Sequence, residues 1–163
     1  MWLSSTAQQA IHALLCVAAF EDEGPVRVDE IAAAIGCPRN YLSKTLHVLA
    51  RDGVLRSTRG PKGGFQLAAP AKEITLAQVI APFEAAGRRR CLMGQPKCGD
   101  ARPCAMHHRW NRVVSTVESF FTHATVASLL EGNPRAANSV RAALRTARLS
   151  SRRKLDGSHA RRT

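Results

Sequence analysis

Between Cys91 and His107 the chain reads C-L-M-G-Q-P-K-C-G-D-A-R-P-C-A-M-H. Gly, Pro and short polar residues recur too often here for a helix or strand, so the stretch is a loop. The rest of the chain is arranged around it. The loop carries three thiols, Cys91, Cys98 and Cys104, and His107 follows the last of them by three residues. Thiolates favour zinc, copper(I) or iron–sulfur clusters. Structural zinc sites usually set paired cysteines roughly two to four residues apart. Here six and five residues intervene. Such wide gaps let one loop wrap an object larger than a single ion, and an iron–sulfur cluster is one. Three thiolates leave a fourth ligand to be found. A disulfide pair with a spare thiol is the plain alternative.

The net charge of +12 points to a polyanionic partner. From Asn133 onward there are nine Lys or Arg and one Asp, so much of that charge belongs to the C-terminal segment. The absence of an apolar run long enough for a membrane span, or of a basic leader before the first apolar stretch, predicts a cytoplasmic chain. The odd number of cysteines, five, agrees with a reducing compartment. No nucleophile, base and orienting group can be read together, so no enzyme is expected.

The first helix is predicted from the helical spacing of Ala7, Ala10, Ile11, Leu14, Leu15 and Ala18, with Ser4, Ser5 or Thr6 as cap. Cys16 reads as a small buried hydrophobe. Val28, Ile31, Ala32 and Ile35 make a second, short helix that Gly36 ends. Cys37 and Pro38 turn the chain into a third helix running to about Asp52, with Leu42, Leu46 and Leu49 inward. Two short helices joined by a tight turn form a helix-turn-helix. The second of them offers Arg39, Asn40, Tyr41, Ser43 and Lys44 to phosphates and base edges. Val54–Thr58 and Phe65–Ala68 then read as strands around R-G-P-K-G-G, the wing of a winged helix. Arg59 and Lys62 supply its charge, and Gly60, Gly63 and Gly64 permit close approach to a sugar-phosphate backbone.

A helix is expected over Ile74–Ala86. After the cysteine loop, Trp110, Val113, Val114, Val117, Phe120, Phe121 and Ala124 form one apolar seam on a long helix, natural for pairing two copies of the chain. Thr125–Leu130 continues that pattern and Gly132–Asn133–Pro134 breaks it. Arg135–Leu149 is at best a marginal helix, and Ser150–Thr163 is expected to be disordered.

N-Y-L-S-K in the recognition helix, R-G-P-K-G-G-F-Q-L-A in the wing, I-T-L-A-Q-V-I after it and the three-cysteine loop together resemble the IscR/NsrR family of bacterial winged-helix regulators. The resemblance runs from Met1 to about Leu130. It implies a homodimer on a partly palindromic DNA operator. It also implies an iron–sulfur cluster, two-iron in preference to four-iron, that reports on iron–sulfur status, iron, oxygen or nitric oxide. The ligands carried over are Cys91, Cys98 and Cys104, with His107 in the place of the IscR branch's histidine. The NsrR branch instead takes an acidic residue from the partner's first helix. That position here is Gln8, with His12 a turn later.

These readings combine into a mainly α chain with one β-hairpin. Residues 1–87 are the winged helix-turn-helix, 88–107 the cluster loop, 108–132 the dimerisation helix and 133–163 a flexible basic tail. Removing that tail is expected to leave the fold intact. The expected function is a transcriptional repressor switched by a cluster. The alternatives are a zinc-stabilised DNA-binding protein or a thiol–disulfide sensor.

Overall fold

The computed structural model describes residues 3–60, 63–84 and 91–159, and side chains through residue 151. At its centre lies α1 (Ser5–Ala19). The Ser4 hydroxyl caps it by accepting from the Ala7 N–H at 3.2 Å. Ala7, Ala10 and Ala13 are fully buried beside Leu14, Cys16 and Val17. Such small side chains let neighbouring helices approach closely, and α1 touches five other helices and the second strand of the wing.

The helix-turn-helix follows as α2 (Val28–Ile35) and α3 (Arg39–Arg51). Gly36 ends α2 at φ 65°, a left-handed conformation in which an L side chain is strained. Leu42, Leu46 and Leu49 are wholly buried, at the spacing of one helix face. Strands β1 (Leu55–Thr58) and β2 (Gly64–Leu67) pair antiparallel, Leu55 opposite Leu67 and Ser57 opposite Phe65. The segment before α2 is stitched to this wing: Val26 and Phe65 exchange backbone hydrogen bonds of 2.9 and 2.8 Å. Gly64 is required by that stitch, since a Cβ there would lie 2.6 Å from the Val26 carbonyl oxygen. A Cβ at Gly63 would meet the Thr58 carbonyl oxygen at 2.2 Å. Both glycines therefore meet a packing requirement of the protein itself, Gly63 within the hairpin turn and Gly64 against Val26.

Helix α4 (Leu76–Ile80) is shorter than the expected Ile74–Ala86, and turns follow it. The apolar seam is likewise divided, into α5 (His107–His123) and α6 (Val126–Gly132). Ala124 is extended between them. Its carbonyl accepts from the Leu76 N–H at 2.9 Å, and the Val126 N–H donates to the Ile74 carbonyl at 3.0 Å. Thr75 and Thr125 cap their helices with matching capping boxes on the two sides of this crossing. The far end of α5 is thus fastened to the start of α4, and the cysteine loop bridges the opposite ends of the two helices.

The C-terminal segment corrects the sequence reading. Pro134–His159 is one helix, α7, packed across α1 and α2. Its inward stripe is Ala137, Leu144 and Ala147, all buried, with Val140 half-buried between them. Leu144 and Val126 share one hydrophobic core with α1, α2 and α3. Among the described residues, α6 and α7 thus add to the core of the winged helix-turn-helix. Arg148 fixes the contact. Its guanidinium lies 3.3 Å from the buried Glu30 carboxylate, donates to the Pro25 carbonyl at 3.2 Å and stacks over Phe20 at 4.8 Å. Removing α7 would strand the Glu30 charge and uncover core, so a cut after Gly132 is not neutral.

Candidate metal centre and nucleic-acid interface

The cysteine loop is a chain of backbone turns. The Gly94 N–H donates to the Cys91 carbonyl, the Cys98 N–H to Gln95, the Arg102 N–H to Gly99 and the His107 N–H to Cys104, at 2.9, 3.3, 3.0 and 3.0 Å. Gly94 takes φ 70° to close the first turn. These turns bring the Sγ atoms of Cys91, Cys98 and Cys104 within 4.8 Å of one another. Cys91 and Cys104 are 3.6 Å apart, while the Cys98 sulfur lies 3.2 Å from His107 Nδ1. His107 opens α5, so the fourth donor is carried by the helix that the loop leads into.

A cavity of about 170 Å³ lies among these groups, and Trp110 and Asn111 form part of its wall. His107 Nε2 lies 2.9 Å from Asp100 Oδ1 and 3.1 Å from the Asn111 amide nitrogen. An ionised carboxylate only accepts, so the Asp100 contact favours the tautomer with the proton on Nε2 and the Nδ1 lone pair toward the sulfurs, while the Asn111 amide N–H, itself a donor, bonds Nε2 only in the other tautomer. Asp100 and Asn111 were not singled out in the sequence. The four-residue step from His107 to Asn111 on one helix is the signal that could have found the second of them.

The thiols differ in environment. The Gln95 backbone N–H pulls Cys91 down to about 7, helped by Met93 and the other two sulfurs and opposed by desolvation. At Cys98 a backbone hydrogen bond from Cys104 favours the thiolate, but desolvation and the neighbouring sulfurs outweigh it, and the thiol is raised. Cys16, buried in α1, is pushed up to about 12 by desolvation, and Cys37 sits buried in the turn. Both stand apart from the sulfur group, as their positions in the sequence suggested. His12 is exposed on α1, and His108 packs edge-on against His107 at 5.2 Å.

In the helix-turn-helix, α3 exposes Arg39, Asn40, Tyr41 and Lys44, with Ser43 half-buried. The Arg39 Nε–H donates to Asp29 Oδ1 in α2, and the Tyr41 hydroxyl bonds the Thr6 hydroxyl of α1. His47 packs edge-on against Phe65 of the wing at 5.5 Å. Arg59 is exposed at the hairpin turn; Lys62 lies outside the described residues. The surface is cationic and polar, ordered from behind by the buried leucines of α3.

A family model, Rrf2, described as an iron-dependent transcriptional regulator, matches residues 3–132. The chain belongs to the Rrf2 family. It is a transcriptional regulator, and DNA binding follows from that membership. An HTH-type regulator of Aquifex aeolicus is 36% identical over 133 residues, covering 80% of this Rrf2 chain and 92% of its own. The HTH-type transcriptional regulator IscR of Vibrio atlanticus is 30% identical over 133 residues, covering 82% and 77%. Among solved structures, T. potens IscR superimposes with TM-score 0.66 at 23% identity, covering 81% of this chain and 88% of that one. CymR, titled the global cysteine regulator of B. subtilis, gives 0.69 at 21%, covering 80% and 97%. These structures share the Rrf2 winged-helix fold. The Rrf2 match stops at residue 132, so α7 lies beyond it. No helix among the described residues is long and apolar enough to cross a membrane.

Proposed function

We propose that this Rrf2 protein is a homodimeric repressor whose operator affinity is set by an iron–sulfur cluster held by Cys91, Cys98, Cys104 and His107. The observation that carries the reading is the convergence of three sulfurs and an imidazole nitrogen on one cavity at the root of α5. The donor set fits the group. Thiolates are soft ligands, Cys91 is already inclined to ionise, and Asp100 orients His107 as carboxylates orient metal-binding histidines. A bound cluster would supply a centre that reacts with oxidants and nitric oxide. The protein supplies the connection. The loop runs into α5, and α5 leaves Val113 and Phe120 about half exposed beside the partly covered Trp110, Val117 and Phe121. Val114 is the one seam residue turned fully into its own chain. A second copy seated on that face would set the distance between two recognition helices. Half-sites roughly 34 Å apart accept only a narrow range of such distances. Arg39, Asn40, Tyr41, Ser43, Lys44, Arg59 and Lys62 are the residues assigned to DNA, with Gly63 and Gly64 shaping the wing.

Anaerobically purified protein should show visible charge-transfer absorption with iron and acid-labile sulfide. Cys91→Ala, Cys98→Ala or Cys104→Ala should each abolish the absorption. His107→Ala should shift or weaken it, and Cys16→Ala and Cys37→Ala should leave it unchanged. A colourless protein holding zinc would overturn the assignment.

One observation favours a second reading. The Cys91 and Cys104 sulfurs at 3.6 Å need only a small movement to the ~2 Å of a disulfide. A colourless, metal-free protein that crosslinks these two residues on oxidation would make it a thiol–disulfide sensor.

A further inference from the structure

Arg39 is the first residue of α3, and its side chain is 60% exposed. Asp29, in the first turn of α2, reaches across the helix-turn-helix and accepts from Arg39 Nε. A guanidinium has five N–H donors in a planar fork. Tying up Nε leaves the two terminal nitrogens, which point along the end of the fork and form a matched pair of donors. Guanine presents a matched pair of acceptors, O6 and N7, in the major groove, and bidentate arginine is its commonest specific partner. In a helix-turn-helix the residues that reach base edges lie at the N-terminal end of the recognition helix, where Arg39 stands. Arginine side chains also carry substantial rotamer entropy. A carboxylate that holds the stem in place before DNA arrives reduces the part of it that recognition would otherwise cost.

We propose that Asp29 is a specificity-determining residue: it positions Arg39 to read one guanine in each half-site. The proposal rests on α3 being the recognition helix. Asp29 itself touches no base in it. An exposed ion pair of this kind contributes little to stability, so a merely structural role predicts almost no effect when it is lost. A positioning role predicts a selective one.

The experiment is selection of duplexes from a random pool by the full chain, isolated anaerobically, followed by affinity measurements on the winning sequence and its single-base variants. Wild type should select a guanine at one position per half-site. Arg39→Ala should lose that preference and keep the others. Asp29→Ala should also lose most of it, with discrimination at that position falling about tenfold, the low end of what one bidentate contact supplies. Its affinity for random DNA should not fall, since a negative charge near phosphates has been removed. The Asp29→Ala/Arg39→Ala double variant should match Arg39→Ala alone, and Asp29→Asn should fall between wild type and Asp29→Ala. Full guanine preference in Asp29→Ala, or a uniform loss at every position, overturns the proposal. If Lys44→Ala binds the selected DNA as wild type does, with the same salt dependence, the recognition-helix reading itself fails and takes the proposal with it.

Discussion

Cys91 and Cys16 show how position sets the chemistry of a thiol. Backbone N–H groups from the turn stabilise the Cys91 thiolate and bring it to about 7, whereas burial in α1 drives Cys16 to about 12. In metal-free protein at pH 7.5 an alkylating agent should therefore modify Cys91 ahead of Cys16. The Cys91 rate should fall as pH drops through 7, because the thiolate is the nucleophile. Mass mapping of a short iodoacetamide reaction checks this; modification of Cys16 before Cys91 would contradict it. Gly64 gives a second test at this scale. Gly64→Ala should cost about 1–3 kcal/mol through overpacking against the Val26 carbonyl, read as a lower urea midpoint. The sulfur group was legible because cysteines are rare and their spacing in a Gly/Pro loop has few readings. Asp100 was not, because one acidic residue in a polar loop looks like any other until the turn at Gly99 aims it at His107. The Gly63–Gly64 pair was noticed for the missing side chain, but its close contacts with the Thr58 and Val26 carbonyls are set by the folded wing and could not be read from the sequence.

Among the elements, α2, α3 and the wing follow from local rules. Gly36 and Gly53 mark helix ends, and leucines at steps of three and four mark the inner face of α3. Helix α7 does not follow from them. Its buried stripe is mostly alanine, which gives little hydrophobic contrast in the sequence, and its partners on α1 and α2 are over a hundred residues away. Leu144→Ala should destabilise the chain by roughly 2–5 kcal/mol, as a fully buried leucine does. Arg148→Ala should cost on the order of 3 kcal/mol by leaving the Glu30 carboxylate buried and unpaired. Both are read from denaturant midpoints, and wild-type midpoints would show that α7 does not dock. Helix α5 lets packing and the proposed pairing be tested separately in one element. Phe120→Asp, on the exposed face, should leave the fold intact and yield a monomer by sedimentation. Val114→Asp, turned into the chain, should impair folding itself. A Phe120→Asp protein that still sediments as a dimer would place the interface elsewhere.

Across the whole molecule, the sulfur group and the recognition helix lie on different elements and communicate only through what joins them. The loop leads into α5, α5 is fastened to α4 at the Ala124 crossing, and α4 packs on α1, against which α3 lies. In the proposed dimer, a change in the order of the loop would thus bias how the two subunits sit without touching DNA, in the manner of other ligand-biased switches. The overall charge of +12 adds sequence-independent attraction to either state, so the switch has to be judged on discrimination at fixed salt. The most direct measurement is the affinity of one preparation for its selected operator, determined anaerobically before and after the cluster is removed by chelation, beside the Cys98→Ala variant. The account predicts that the loaded and stripped proteins differ by tenfold or more, about 1.4 kcal/mol of coupling, and that Cys98→Ala behaves as the stripped form does. Equal affinities in all three, with a cluster demonstrably present in the first, would contradict it.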